Sequence, residues 1–384
     1  MAKPIFDVYA AREGSEAFVT LTLPASAYQL LDAKERLHAE DGEELYLEIS
    51  DYHACEYLSS VLNEQFGLMP LNALAERISQ MDDRALTAFH GMVRMELDKG
   101  GESISPQCLL DLAHSTDCCH VVDALTDAEL GRFYAENGFR SELDALPDKV
   151  FELLDFDKIG KEIREGECGV FTPDGYVVQH SEFLSAPPVP DRWPEKPDYI
   201  FRMELEHGGR AAVLELPALE CLIDVALHKI GAGEEPVRLA ACDSALPNFK
   251  QMFDGNLYAA NELAVTVSRL EKAGRLPLYK AVLSAAECAD ISAALTLSEQ
   301  LDHFMLDRTS ASPAEYARNE IGFLLDGGPD AELLSQYVSL HAYGQALLTR
   351  QNAALTPYGV VNRDDNQPMQ APFEQPAQSG MEMM

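Results

Sequence analysis

Apolar and polar residues alternate along Leu45-Tyr46-Leu47-Glu48-Ile49, and a period of two predicts a half-buried strand. An acidic turn at Asp51 follows, then a loop with Gly67 and Pro70. From Leu71 the period becomes helical: Leu71, Leu74, Ala75 and Ile78 share one side, and Glu76, Arg77 and Gln80 the other. Asp82 and Asp83 stand past the end of that helix. Upstream, IFDVYAA and AFVTLTL alternate around Gly14, as a hairpin does, and Pro24 and Ser26 open a helix over SAYQLLDAKERLH. Downstream, residues 84–98 read as a helix, and 105–125 as a short helix followed by STDCCHVVDAL. Thr126 and Glu129 make a capping box for DAELGRFYAE. A helix beginning at Leu146-Pro147 carries VFELLDFDKIGKEIRE, and a hairpin closes on Asp174-Gly175.

Residues 184–198, LSAPPVPDRWPEKPD, hold five prolines and read as a semi-rigid linker. Beyond it the order of elements repeats. Residues 19–33 align with 212–226, 71–93 with 260–282, and 126–139 with 312–325. Residues 155–163 align with 341–348, and FTPDGYVV at 171–178 with LTPYGVV at 355–361. The hairpin strands 199–205 and 211–217 match the first hairpin. Collinear matches of this kind indicate an internal duplication. The expected fold is α+β, elongated, with two tandem-duplicated units of small mixed sheets and packed helices. The expected boundaries are 1–183 for the first unit, 184–198 for the linker, 199–363 for the second unit and 364–384 for a disordered tail rich in Gln, Pro, Met and Gly.

Charge changes this picture of an ordinary globular chain. The 384 residues hold 64 acidic and 29 basic side chains, a formal net charge of −35. Residues 1–186 carry 36 of the acids and 14 of the bases, so the first half has the stronger field. Such a balance excludes direct nucleic-acid binding, which needs basic groups to displace counterions, and disfavours an anionic membrane surface. It favours a basic partner or halophilic solvation. No apolar run is long enough to span a membrane, and MAKPIFDVY lacks the core of a signal peptide. Eight scattered cysteines fit a reduced, cytoplasmic setting.

Candidate chemistry is sparse. His114, Cys118, Cys119 and His120 offer four soft ligands, but without the paired spacings of zinc sites, and buried packing is the plainer reading. Acid pairs such as Asp155/Asp157 and Glu162/Glu165/Glu167 read as a solvated face. No phosphate loop, nucleophile elbow or H-E-x-x-H motif occurs. What remains is acidic surface. B-DNA carries one charge per roughly 1.7 Å, so 35 charges correspond to about 60 Å of duplex and the gross 64 to about 110 Å. Carboxylates standing in for phosphates are therefore compatible in magnitude.

The chain resembles the ArdA-type antirestriction proteins of conjugative elements. The resemblance rests on Leu47-Glu48-Ile49-Ser50-Asp51-Tyr52, on Leu71-Asn72-Ala73-Leu74-Ala75-Glu76 and on Gly131-Arg132-Phe133-Tyr134. It extends to Leu153-Leu154-Asp155-Phe156-Asp157-Lys158-Ile159-Gly160 and to Gly175 in the closing hairpin. The second unit contributes Asn261-Glu262-Leu263-Ala264, Tyr343-Gly344 and Tyr358-Gly359-Val360. It departs at Leu239-Ala240-Ala241-Cys242-Asp243, where the first unit has its acidic turn. The resemblance implies an acidic mimic of bent DNA that occupies the basic DNA-binding groove of type I restriction–modification enzymes. It implies no catalysis, cofactor or metal, and a homodimer or, here, a single-chain pseudo-dimer. The expected contact residues are Glu43, Glu44, Glu48, Asp51, Glu56, Glu76, Asp82 and Asp83, with Asp155, Asp157, Glu162 and Glu165. Two other readings stay open: a non-mimic accessory or scaffold protein of a mobile element, with a basic protein partner, and a metal-dependent enzyme using His114–His120.

Overall fold

A computed structural model describes every residue except 1–2, 63–65, 101–102, 141, 144–146, 234–235, 366, 368 and 370–384. The tail expected to be disordered falls almost wholly outside the described residues. The fold is α+β. The first half runs β1 (Phe6–Arg12), β2 (Phe18–Leu23), α1 (Ala27–Leu37), β3 (Leu45–Asp51), a 3-10 helix (His53–Ser60), α2 (Leu68–Ser79), α3 (Asp83–Asp98) and α4 (Pro106–His114). It continues with β4 (Cys119–Val122), α5 (Asp127–Glu136), α6 (Asp148–Phe151), α7 (Phe156–Glu167), β5 (Val170–Thr172) and β6 (Gly175–Gln179). The second half begins β7 (Phe201–His207), β8 (Arg210–Leu216), α8 (Glu220–Ile230), β9 (Arg238–Ser244), α9 (Phe249–Met252), α10 (Leu257–Lys272), α11 (Leu276–Ala285) and α12 (Ile291–Glu299). It ends β10 (Phe304–Asp307), α13 (Pro313–Leu324), α14 (Pro329–Tyr337), α15 (Leu340–Arg350), β11 (Ala353–Thr356) and β12 (Gly359–Arg363).

The halves match element for element. Their three-stranded sheets are ordered β2-β1-β3 and β4-β6-β5 in one, β8-β7-β9 and β10-β12-β11 in the other. Strands β5 and β6, and likewise β11 and β12, pair antiparallel through tight turns. Thr172 Oγ1 donates to the Gly175 carbonyl at 2.9 Å, and Thr356 Oγ1 to that of Gly359 at 2.8 Å. Both glycines have positive φ, 155° and 125°, which a side chain would resist.

Helix α7 lies against α5 with backbone touching backbone. A Cβ on Gly160 would stand 1.7 Å from the Asp127 carbonyl oxygen, and one on Gly131 2.0 Å from that of Phe156. In the second half a Cβ on Gly344 would stand 1.8 Å from the Pro313 carbonyl oxygen. The glycine in the Tyr343-Gly344 match thus has the same physical purpose as Gly160.

The chain forms two compact units: Met1–Tyr9, Thr20–Pro24 and Leu45–Arg192 in one, and Ala10–Val19, Ala25–Glu44 and Trp193–Met384 in the other. Helix α1 therefore belongs to the second unit, although its sequence lies in the first repeat. The core of that unit gathers Phe201, Met203 and Leu205 of β7, Ile223, Ala226 and Ile230 of α8, and Leu263, Ala264 and Val267 of α10, with Tyr28 of α1 among them. Removing such side chains from water stabilises by roughly 1.5–3 kcal/mol each. In the first unit Val122, Leu130, Ile163, Tyr176 and Val178 pack together between α5, α7 and the β4-β6-β5 sheet.

Three details differ from the sequence pattern. The helix expected from residue 146 is broken: α6 ends at Phe151 and α7 begins at Phe156. Asp155 has φ −84° and ψ 85°, and its side chain accepts from the Lys158 N–H, so it caps a new helix instead of continuing an old one. The Glu129 carboxylate reaches past Thr126 to the Leu125 N–H at 2.7 Å. The proline-rich stretch is pinned to the first unit as far as Asp191. Ser115 Oγ accepts from the Leu184 N–H, Asp111 Oδ1 from that of Ala186, and Asp191 Oδ1 from that of Met69. Among the described residues no helix is long and apolar enough to cross a membrane.

Candidate functional site

All twelve expected contact acids are exposed. Glu43 and Glu44 end the α1 segment and fall in the second unit; the other ten fall in the first. Glu48 points outward because β3 alternates half-buried and exposed positions. Asp51 ends that strand and accepts from the His53 N–H at 2.6 Å. Glu56 lies in the 3-10 helix, and Glu76 on the outer face of α2. Asp82 is the N-cap of α3, accepting from the Ala85 N–H at 2.8 Å, and Asp83 is in its first turn. Asp155 and Asp157 stand in the same relation to α7. A helix N-terminus favours negative charge, so these four acids have a local reason to be where they are.

The remaining acids differ in how far they are neutralised. Glu43 lies 3.7 Å from Arg12, and its other oxygen accepts from the Glu40 N–H. Among the described residues, Glu44, Glu48, Glu56, Glu76, Asp83, Asp157, Glu162 and Glu165 make no ion pair. Glu162 and Glu165 nevertheless share α7 with Lys158, Lys161 and Arg164. Arg164 forks onto Asp127 at 2.8 and 3.0 Å, which holds the Asp127 carboxyl below its ordinary range. The field over α7 is therefore mixed, whereas that over β3, the 3-10 helix and α2 is carried by unpaired carboxylates.

The fold also gathers groups that the sequence keeps apart. Asp7, Asp51 and His53 place three potential ligand atoms within 4.8 Å of one another, with His53 Nε2 3.3 Å from Asp7. Only the convergence of β1 and β3 in one sheet brings Asp7 there; the Asp-x-His spacing was the one local signal. Glu56 and Asp83 meet Asp123 and Asp174 around a groove of about 770 Å³ that Tyr57 and His90 also line. The Tyr57 and His90 rings stack with centroids 3.9 Å apart. Burial, followed by the Arg94 charge, lowers the His90 imidazole below its ordinary value.

The His114–His120 segment is used for packing. Cys118 and Cys119 are buried, and burial beside Cys118 pushes the Cys119 thiol up to about 12. His114 Nδ1 faces the Leu110 carbonyl at 2.9 Å, while His120 stacks on His180 at 4.2 Å. A neutral buried thiol is neither a nucleophile nor a ready ligand.

No protein-family model matches the chain, and no curated protein matches it.

Proposed function

We propose that the protein is an acidic DNA mimic of the antirestriction kind, acting in the cytoplasm on the basic DNA-binding groove of a type I restriction–modification enzyme. The observation that carries this reading is the run of exposed carboxylates on β3, the 3-10 helix and α2, of which Glu48, Glu56 and Glu76 make no ion pair among the described residues. A basic groove shaped for phosphates would supply the missing cations. The protein would carry out no chemistry: it would compete with DNA for one surface, sparing incoming mobile-element DNA from cleavage. A non-mimic scaffold of a mobile element is the second reading. The mixed charge over α7 favours it, because lysines among the acids weaken a phosphate-like field.

The test is a competition. A type I complex is held on labelled duplex and the protein is titrated in at two salt concentrations. Displacement is expected, and it should weaken with salt, since screening lengths fall from about 10 Å at 0.1 M to about 3 Å at 1 M. The variant Glu44→Lys/Glu48→Lys/Glu76→Lys/Glu162→Lys touches no helix cap and should lose displacement while staying folded. Undiminished displacement by that variant would overturn the mimic. Binding to the complex without displacement of DNA would favour the scaffold.

A further inference from the structure

Helices α1 and α8 occupy equivalent places in the repeat. Each has 11 residues, follows a cis-proline loop and ends on a left-handed cap, His38 in one and Gly231 in the other. The inner faces agree: Leu30, Ala33 and Leu37 correspond to Ile223, Ala226 and Ile230, all buried. The outer faces do not. In α1 the outer face is covered within the second unit. Ser26 Oγ donates to Asp243, Tyr28 to the Tyr199 carbonyl, and Lys280 of α11 reaches both Asp32 at 3.0 Å and Glu35 at 2.8 Å. In α8 those positions carry Leu219, Cys221, Val225 and His228, all exposed, and Leu219 and Val225, 73% and 63% exposed, join Leu222 at 52% and Val213 of β8 at 54% in one apolar stripe. An apolar stripe this bare on a folded surface marks a contact site.

The surface that receives α1 also has a counterpart. By the alignment of 71–93 with 260–282, Tyr279 and Lys280 correspond to His90 and Gly91, and by the closing hairpins Pro357 and Tyr358 correspond to Pro173 and Asp174. His90, Pro173 and Asp174 line the open groove of the first unit. The chemistry has changed on both sides together. Asp32 meets Tyr358 and Glu35 meets Lys280; the counterparts are Val225 with Asp174 at the groove, and His228 with Gly91, which is itself buried against Val177. The end of α8 adds His228 and Lys229, both exposed, and the groove carries four acids, Glu56, Asp83, Asp123 and Asp174, against Lys3 and Arg84.

We infer that the first unit's groove is a docking site for helix α8 of a second copy of this chain. Each copy has one such helix and one such groove, so two copies can exchange helices reciprocally and close a two-fold dimer. The apolar stripe provides the buried contact, and His228 and Lys229 against the acidic rim set its direction. This inference does not rest on the mimic reading, though docking would cover Glu56 and Asp83 of its contact set.

The test uses the full chain in sedimentation velocity across micromolar concentrations. Wild type should associate reversibly. Leu222→Asp/Val225→Asp on α8 and Asp123→Lys/Asp174→Lys at the groove rim alter only exposed side chains, and circular dichroism checks their folding. Each should weaken association by about tenfold or more. Mixed in equal amounts, the two should form a heterodimer, because the mixture retains one intact α8 and one intact groove. Monomeric wild type throughout, or a rim variant as associated as wild type, would overturn the assignment. So would mixing that restores nothing.

Discussion

Two helices of one ancestry, α1 and α8, have solved the same burial problem in opposite ways. α1 is fixed by charge: Lys280 is buried among Asp32, Glu35 and the Tyr358 hydroxyl, which donates to Asp32 at 2.8 Å. Burial alone would lower the lysine's proton affinity, but Asp32 and then Glu35 outweigh it, and the Lys280 pKa is raised. α8 keeps no such charges and presents leucine and valine to solvent. The lesson is that a repeat conserves the face that builds its own core and lets the outward face follow whatever it meets. A buried ion network is a poor source of net stability but costs a great deal to break, and it fits only one partner. An apolar stripe is less selective.

The largest expected effect breaks that network. Lys280→Met leaves buried Asp32 with only Arg36, 4.0 Å away, and should cost about 3 kcal/mol, whereas adding Asp32→Leu should recover most of the loss. Urea unfolding followed by fluorescence of Trp193 reads this directly, since the single tryptophan belongs to the second unit. An equal loss in the single and double variants would show that the charges are not coupled. A smaller effect compares the paired helices within each half. Gly160→Ala in the first unit and Gly344→Ala in the second should each cost about 1–3 kcal/mol, because the atoms they meet are backbone and cannot swing aside. Ala317 already stands where the first half has Gly131, so Ala317→Gly should cost only about 0.5–1 kcal/mol. Thermal melts of the four proteins rank these directly.

The smallest effect concerns the caps. His38 sits at φ 53° with both ring nitrogens buried and without a hydrogen-bond partner among the described residues, while Gly231 holds the same place at φ 71° without strain. Burial, then Arg308 and Arg12, lowers the His38 imidazole below its ordinary 6.5. The unfolded chain therefore takes up the proton first. The stability tied to this group is complete above pH 6.5 and is lost as pH falls through and below that value. His38→Gly should flatten the decline in melting temperature from pH 7 to pH 5 and change stability little at pH 7. An unchanged acid slope would assign the decline to other groups.

Much of this fold was written locally. The hairpin around Gly14, the alternation of β3 and the caps at Ser26 and Thr126 follow from neighbours a few residues apart. The collinear repeat gave the paired order of elements, but aligning 155–163 with 341–348 does not set Gly160 opposite Gly344; only their equivalent helix contacts pair them. Other features depend on pairings across the chain. The acids of the contact set were legible as exposed, and the caps at Asp82 and Asp155 act three residues away, but nothing local shows that Glu43 lies beside Arg12. The convergence of Asp7 on His53 needs two strands to meet. The allegiance of α1 to the second unit needs Lys280, and a lysine inside an apolar helix pattern gives no sign of its partner.

The separation of Asp32 from Lys280 is 248 residues, and this sets a clock on the newborn chain. Synthesis at roughly 5–20 residues per second means that α1 leaves the ribosome about 12–50 s before the lysine that neutralises it exists. For that interval Tyr28 and the two carboxylates have no core to enter, and this early helix is among the last to be seated. The first half must therefore reach a state that tolerates a loose amphipathic helix near its own start. Its solubility in that interval rests on the same excess of carboxylates that distinguishes the finished protein.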